Sequence, residues 1–163
     1  MWAMSLQLPN PKDVRDLFDD LLGRPVTVGP ADPLLADALK HSLVCLYTDD
    51  QLKLASVIAL DLPLTIYAGA ALGLMPPGGA QDCVADKEVL PTVAENVREV
   101  ANIMTGFFHR EGGRHMKLHQ VFLPGEAPPS DALAYLAAIG RRLDLAVEVG
   151  GYGSGHLAVT LTE

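Results

Sequence analysis

The stretch Thr92–His109, TVAENVREVANIMTGFFH, decides how the rest of the chain is read. At the helical advance of about 100° per residue its side chains separate into two opposed stripes. Val93, Val97, Val100, Met104 and Phe107 recur at spacings of three and four on one side. Glu95, Arg98, Glu99, Asn102, Gly106 and His109 occupy the other. The apolar stripe is wide enough for the buried face of an amphipathic helix, so the spacing predicts a single helix that Glu111-Gly112-Gly113 ends. The polar stripe is not the usual solvent face of lysines and glutamates. Glu99 and Asn102 stand three residues apart, which sets their side chains next to each other. Gly106, one turn beyond, removes bulk from the same stripe. A glycine inside a helix costs roughly 1 kcal/mol relative to alanine, and here it lets another surface come close.

At these residues the sequence resembles a known family. Glu99-Val100-Ala101-Asn102-Ile103, followed by Gly106, is similar to the Glu-x-x-Asn helix of the CheC/CheX/FliY-type chemotaxis phosphatases. That family places an Asp or Ser four residues before the glutamate, where this chain has Glu95, and a proline downstream, for which Pro124 stands about one residue early. Two-site members repeat the motif on an early helix. Here Asp16 and Asp19 have the spacing but no asparagine, so the resemblance implies one site, as in CheX-like members.

The resemblance also implies a chemistry. The substrate is the aspartyl-phosphate of a response-regulator receiver domain, as in two-component or chemotaxis-type signalling. Asn102 orients the attacking water, and Glu99 docks to a receiver lysine. An amide suits the first task, because it donates and accepts hydrogen bonds and stays neutral beside an anion. Glu95, Arg98 and Gly106 are the further partner-binding candidates. Glu95 either contacts the partner's backbone or a basic side chain, or repels an acidic receiver surface. Mg²⁺ is expected in the receiver, and no cofactor in this chain. Two alternatives stand beside this one: a non-catalytic receiver-binding or dimerisation module of the same fold, and an amphipathic helix whose Glu and Asn merely face water.

Composition limits the function classes. With 163 residues the natural reading is one domain, 1–163, long enough for a proper core. Apolar residues are 49% of the chain, too many for a disordered segment. The net charge of −8 and pI near 5.0 argue against nucleic acid as a partner; Arg110, Arg114 and Lys117 make only a small basic cluster. The same charge gives no long-range attraction to an acidic receiver site, so recognition relies on local fit. Cys45 and Cys83 fit no metal or redox spacing, and Cys45 reads as core. The first residues carry no signal-peptide pattern. The apolar run Ala55–Met75 is broken by Asp61 and Pro63, which favours a strand and a helix over a membrane span. The expectation is a cytoplasmic protein. Dimers occur among similar folds, and a homodimer is left open, since no segment requires one.

Along the chain, Asn10 and Pro11 open a helix with the stripe Val14, Leu17, Phe18, Leu21 and Leu22, and Gly23 stops it. Pro25–Val28 reads as a short strand and Gly29–Leu39 as a connection with a turn of helix. Ser42–Thr48 and Leu52–Leu60 read as a hairpin, and Asp61 and Pro63 open a helix through Thr65–Leu74. Ala80–Lys87 reads as a polar linker. Met116–Leu123 is a strand, Ser130 starts a helix reaching Arg141, and Leu143–Val149 with His156–Leu161 form a last hairpin. Mixed helices and hairpin-linked strands predict an α+β fold with a largely antiparallel sheet. In the family, two long helices lie on that sheet.

Other motifs carry less. The glycines of Gly150–Gly155 match neither phosphate-binding pattern and precede no helix, which makes them a hairpin turn. His115 and His119 share a strand face and lack a carboxylate or cysteine at ligand spacing, so they read as solvent-facing rather than zinc ligands. No nucleophile-elbow motif is present.

Overall fold

Asn10 starts the first helix in the way its side chain predicts. Its Oδ1 accepts the Asp13 N–H at 2.8 Å, and Asp13 Oδ2 accepts the Asn10 N–H at 3.1 Å. This capping box satisfies two donors that a helix start otherwise leaves free. The computed structural model describes residues 6–109 and 114–163. Helix α1 runs over Pro11–Leu22, and Gly23 closes it at φ +63°, a left-handed conformation that a side chain would strain. Val14, Phe18 and Leu22 are buried beneath it, with Leu17 and Leu21 half-buried.

Six strands form one sheet: β1 (Val26–Pro30), β2 (Leu43–Asp49), β3 (Leu54–Leu60), β4 (Met116–Phe122), β5 (Arg142–Val149) and β6 (Gly153–Leu161). The order is β1-β5-β6-β3-β2-β4, and every neighbouring pair is antiparallel. Both expected hairpins are present. At the first, Asp49 accepts the N–H groups of Gln51 and Lys53. At the second, only the first part of the glycine-rich stretch is the turn, with Gly151 at φ +83°; Gly153, Ser154 and Gly155 already belong to β6.

The topology contains a repeat that the sequence does not display. Besides α1, the chain forms α2 (Ala36–Leu39), α3 (Leu62–Leu72), α4 (Pro77–Asp86), α5 (Pro91–Ile103) and α6 (Ser130–Ala137). The run α1-β1-α2-β2-β3 is followed, after α3 and α4, by α5-β4-α6-β5-β6. Exchanging β1 with β4, β2 with β5 and β3 with β6 turns the sheet order into its own reverse. Each half also gives its first strand to the other: β1 pairs with β5, and β4 pairs with β2.

One face of the sheet carries the larger core. Leu43, Cys45, Tyr47, Ile58, Leu60, Leu145, Val147 and Val159 meet residues from α1, α3, α4 and α5 there. On the other face Val44, Leu46, Val57, Ala59 and Ala158 are covered by Ala132 and Leu136 of α6 and Leu39 of α2. Helix α3 is buried almost all round, from Leu64 to Ala71, as befits a helix between others. Asp61 caps it by accepting the Leu64 N–H at 3.0 Å. Its small residues admit α5: a Cβ on Gly69 would lie 2.8 Å from Val93 and Val97. Asn96 Nδ2 donates to the Gly69 carbonyl at 3.0 Å and ties the two helices together. Among the described residues no helix is long and apolar enough to cross a membrane.

Three expectations are corrected. The polar linker at Ala80–Lys87 is instead the helix α4, which Pro77 opens and Lys87 closes at φ +55°. Its buried stripe is only Ala80 and Cys83, packed on α3, too short for periodicity to reveal. The helix Val93–His109 is α-helical only as far as Ile103; Met104–Phe108 winds more tightly as a 3₁₀ turn, and His109 lies outside it. Glu111-Gly112-Gly113 lies outside the described residues, as does Arg110. Helix α6 stops at Ala137 rather than near Arg141, because Ala138 is extended and Arg142 donates to the carbonyls of Leu136 and Ala138.

Candidate functional site

Helix α5 exists because Val93, Val97, Val100 and Ala101 are buried against the sheet and α3, with Pro91 in its first turn. That burial fixes what its other side presents. Glu95, Arg98, Glu99, Asn102, Gly106 and His109 are all exposed. Among the described residues, no hydrogen bond or ion pair engages the side chains of Glu95, Arg98, Glu99 or Asn102. The structure therefore leaves the predicted site residues together on one open surface, with none spent on the chain's own fold.

Around Asn102 the backbone is held from within. The Asn102 carbonyl accepts the Thr105 hydroxyl at 2.6 Å, and the Ala101 carbonyl accepts the Tyr47 phenol at 2.5 Å. Tyr47 is fully buried on β2, its ring tilted against Phe108 at 5.7 Å. Beyond Asn102 the 3₁₀ turn is anchored to α1 by Phe107, whose ring lies 6.5 Å from that of Phe18. Gly106 sits on this turn, and a Cβ there would meet only Leu17 Cδ1, at 3.4 Å. The fold itself does not demand a glycine at 106. A shallow hollow of about 490 Å³ opens beside it, bounded by Asn10, Asp13 and Asp16 of the α1 start and by His109.

Helix α1 is the topological counterpart of α5. Setting Val14, Leu17, Phe18 and Leu21 against Val97, Val100, Ala101 and Met104 brings Asp16 opposite Glu99, Asp19 opposite Asn102 and Gly23 opposite Gly106. Asp16, unlike Glu99, is engaged: Lys12 lies 2.8 Å away and Arg15 3.2 Å. The hydrogen bond from Lys12, with that of Arg15, holds its carboxyl below the usual carboxylate range.

The remaining candidates do not join the Glu99 and Asn102 pair. His115 and His119 are exposed as expected, and His115 approaches Asp50 at 2.7 Å and stacks on His109. No group of three potential metal ligands occurs among the described residues. Arg114, of the basic cluster, pairs with the Glu163 side chain at 2.9 Å and lies 3.8 Å from Asp49. Pro124 follows β4 in a turn with Gly125 at φ +91°. A cavity of about 600 Å³ lies on the other side of the sheet among Leu34, Leu39, Leu133 and Leu136, beside Lys40 and Glu126. Sequence reasoning missed Tyr47 and Thr105: a tyrosine in an apolar strand reads as core, and nothing marks its distant backbone partner.

No protein-family profile matches the sequence, and no curated protein matches it either. Solved structures do. A chain in the crystal structure of the CheX-CheY-BeF3-Mg²⁺ complex from Borrelia burgdorferi superposes with a TM-score of 0.52 at 15% identity, over 91% of this chain and 92% of that one. Thermotoga maritima FliY gives 0.56 at 11% identity, over 89% and 80%. The FliG-FliM complex from H. pylori gives 0.57 at 6% identity, over 93% and 85%. Identities this low speak to architecture and not to activity. The chain has the α+β fold, an antiparallel sheet under helices, that CheX, FliY and FliM middle domains share.

Proposed function

We propose that this protein is a phosphatase for the aspartyl-phosphate of a response-regulator receiver domain, with its chemistry on the exposed stripe of α5. The observation that carries the reading is the pair Glu99 and Asn102, side by side, exposed and unengaged on a helix whose inner side is locked. Exposed and not engaged by the fold, the carboxamide and carboxylate are free to meet a partner that approaches over the bulk-free Gly106.

In the reaction, water attacks phosphorus in line as the bond to the aspartate oxygen breaks. The products are inorganic phosphate and a carboxylate, which leaves without needing a proton. Such a transfer needs positioning and electrostatic support more than covalent help. Asn102 holds the water through its carboxamide, and Glu99 pairs with a receiver lysine and sets the register. Arg98 and Glu95 meet the receiver beside them, and Gly106 lets its surface approach. The magnesium that neutralises the phosphoryl group is assigned to the receiver. A receiver partner places the protein in the cytoplasm.

The test is the lifetime of phosphorylated receivers with and without the protein. Wild type is expected to shorten it; Asn102→Ala is expected to lose about 10²-fold or more of that acceleration, the scale of a lost positioning group, while still binding the receiver. Glu99→Ala is expected to weaken docking. If stoichiometric wild type leaves every cognate receiver's lifetime unchanged, the reading fails. The second reading is a non-catalytic binding module. What favours it is the likeness to FliM, which is found in a complex with FliG. Receiver binding without acceleration would select it.

A further inference from the structure

We propose that Tyr47 is a positioning residue for Asn102: its phenol, bonded to the Ala101 carbonyl, fixes the peptide unit from which the exposed carboxamide projects. This rests on assigning the chemistry to Asn102. Three observations meet at that peptide. First, the chain changes its winding there. The α-helix ends at Ile103 and the 3₁₀ turn begins at Met104. In a 3₁₀ turn each N–H reaches back three residues instead of four, so the carbonyls at the changeover are those whose helical partners are redirected. Such a junction is pliable unless side chains hold it. Second, both carbonyls flanking the Asn102 Cα receive hydroxyl donors, Tyr47 on the Ala101 side and Thr105 on its own.

Third, the sheet is deformed around Tyr47. Leu46 faces Gln120 and Tyr47 faces Leu118, which leaves His119 as an extra residue on β4. On the other side Tyr47 faces Ser56 and Thr48 faces Leu54, which leaves Ala55 as an extra residue on β3. Two irregularities therefore bracket one position on the strand between them. A bulge bends the strand that carries the extra residue, here β4 and β3 on either side of Tyr47. The side chain between them is a fully buried phenol whose only polar atom reaches across the core to the helix above. A phenylalanine would fill the same space. Burial also pushes the phenol well above its ordinary pKa, which keeps the hydroxyl a donor.

Tyr47→Phe keeps the ring packed on Phe108 and removes only the hydroxyl. The expected result is a kcat for receiver dephosphorylation about tenfold lower or worse, with the Kd for a beryllofluoride-activated receiver within about twofold of wild type, as for an interaction felt only in the transition state. Tyr47→Phe combined with Asn102→Ala is expected to be no slower than Asn102→Ala alone. Independently of turnover, ¹⁵N relaxation of the isolated variant is expected to show the order parameter at Asn102 falling below the value of about 0.85 for rigid backbone, while Val97 stays unchanged. An unchanged kcat, additive losses in the double variant, or an unchanged order parameter at Asn102 would each overturn the proposal. If wild type accelerates no receiver, the phosphatase reading fails by itself, and the order parameters alone decide whether Tyr47 positions Asn102.

Discussion

At the scale of single residues, Gly106 separates the needs of the fold from those of the site. Its missing Cβ would touch only Leu17, at an ordinary distance. Gly106→Ala is therefore expected to leave stability unchanged or raise it by up to about 1 kcal/mol, through a less flexible unfolded chain. Receiver dephosphorylation is expected to fall, since the added methyl stands on the docking stripe. Urea melts paired with a turnover assay check both halves, and a stable variant with full activity would remove Gly106 from the site. Cys45 makes a prediction of another kind. Burial pushes its thiol from 9.0 up to about 12. A raised acid means that the unfolded chain loses its proton first, so stability is complete below the unfolded pKa and falls as pH rises above about 9 towards 12. The fall for one such group is about 1.4 kcal/mol per pH unit. Urea midpoints at pH 8 and pH 10.5 measure it, and Cys45→Val is expected to lessen the slope. An identical slope in that variant would mean that other groups cause the fall.

At the scale of elements, the site's geometry depends on how closely α3 and α5 approach. Gly69 permits that approach and Asn96 clasps it. Gly69→Ala would drive a Cβ to 2.8 Å from the Val93 carbonyl, which cannot rotate away as a side chain can. The expected cost is about 1–3 kcal/mol, the range for overpacking a filled interior, read as a lower urea midpoint. A neutral Gly69→Ala would mean that α5 shifts easily and would undercut a rigidly held Asn102. Legibility also varies element by element. Helices α1 and α3 were visible from their caps, because Asn10, Gly23 and Asp61 act within a few residues of themselves. Helix α4 was hidden, since Pro76-Pro77-Gly78-Gly79 has the composition of a loop and the stripe that follows is two residues long. The tightening at Met104 was hidden too, because Phe107 and Phe108 are both buried and the apolar rhythm runs on through the change.

At the scale of the whole molecule, the exchange of edge strands makes the two halves interdependent. Without the second half, β1 loses β5 and β2 loses β4; without the first, β4 has no partner at all. Exposed edges and an uncovered apolar face are expected to leave either half unfolded or aggregated. Far-UV circular dichroism of residues 1–88 and 89–163 expressed separately is expected to show no cooperative transition, while the intact chain melts in one step. A cooperative melt of either fragment would contradict this account. The non-local pairings also predict slow folding for the chain's length.

What the sequence by itself determined was carried by short-range chemistry. Caps, hairpin turns and the two-sided character of α5 follow from neighbours three or four residues apart, and so does the adjacency of Glu99 and Asn102. The resemblance at that motif also anticipated the fold. Only the tertiary structure decided which strands share edges, since pairing β1 with β5 leaves no mark in either strand alone. Only it set Tyr47 beneath Ala101, a contact 54 residues apart along the chain. The physical reason is the range of the forces: hydrogen bonds and side-chain contacts act over a few ångströms, and between residues distant in sequence those few ångströms exist only once the chain has folded.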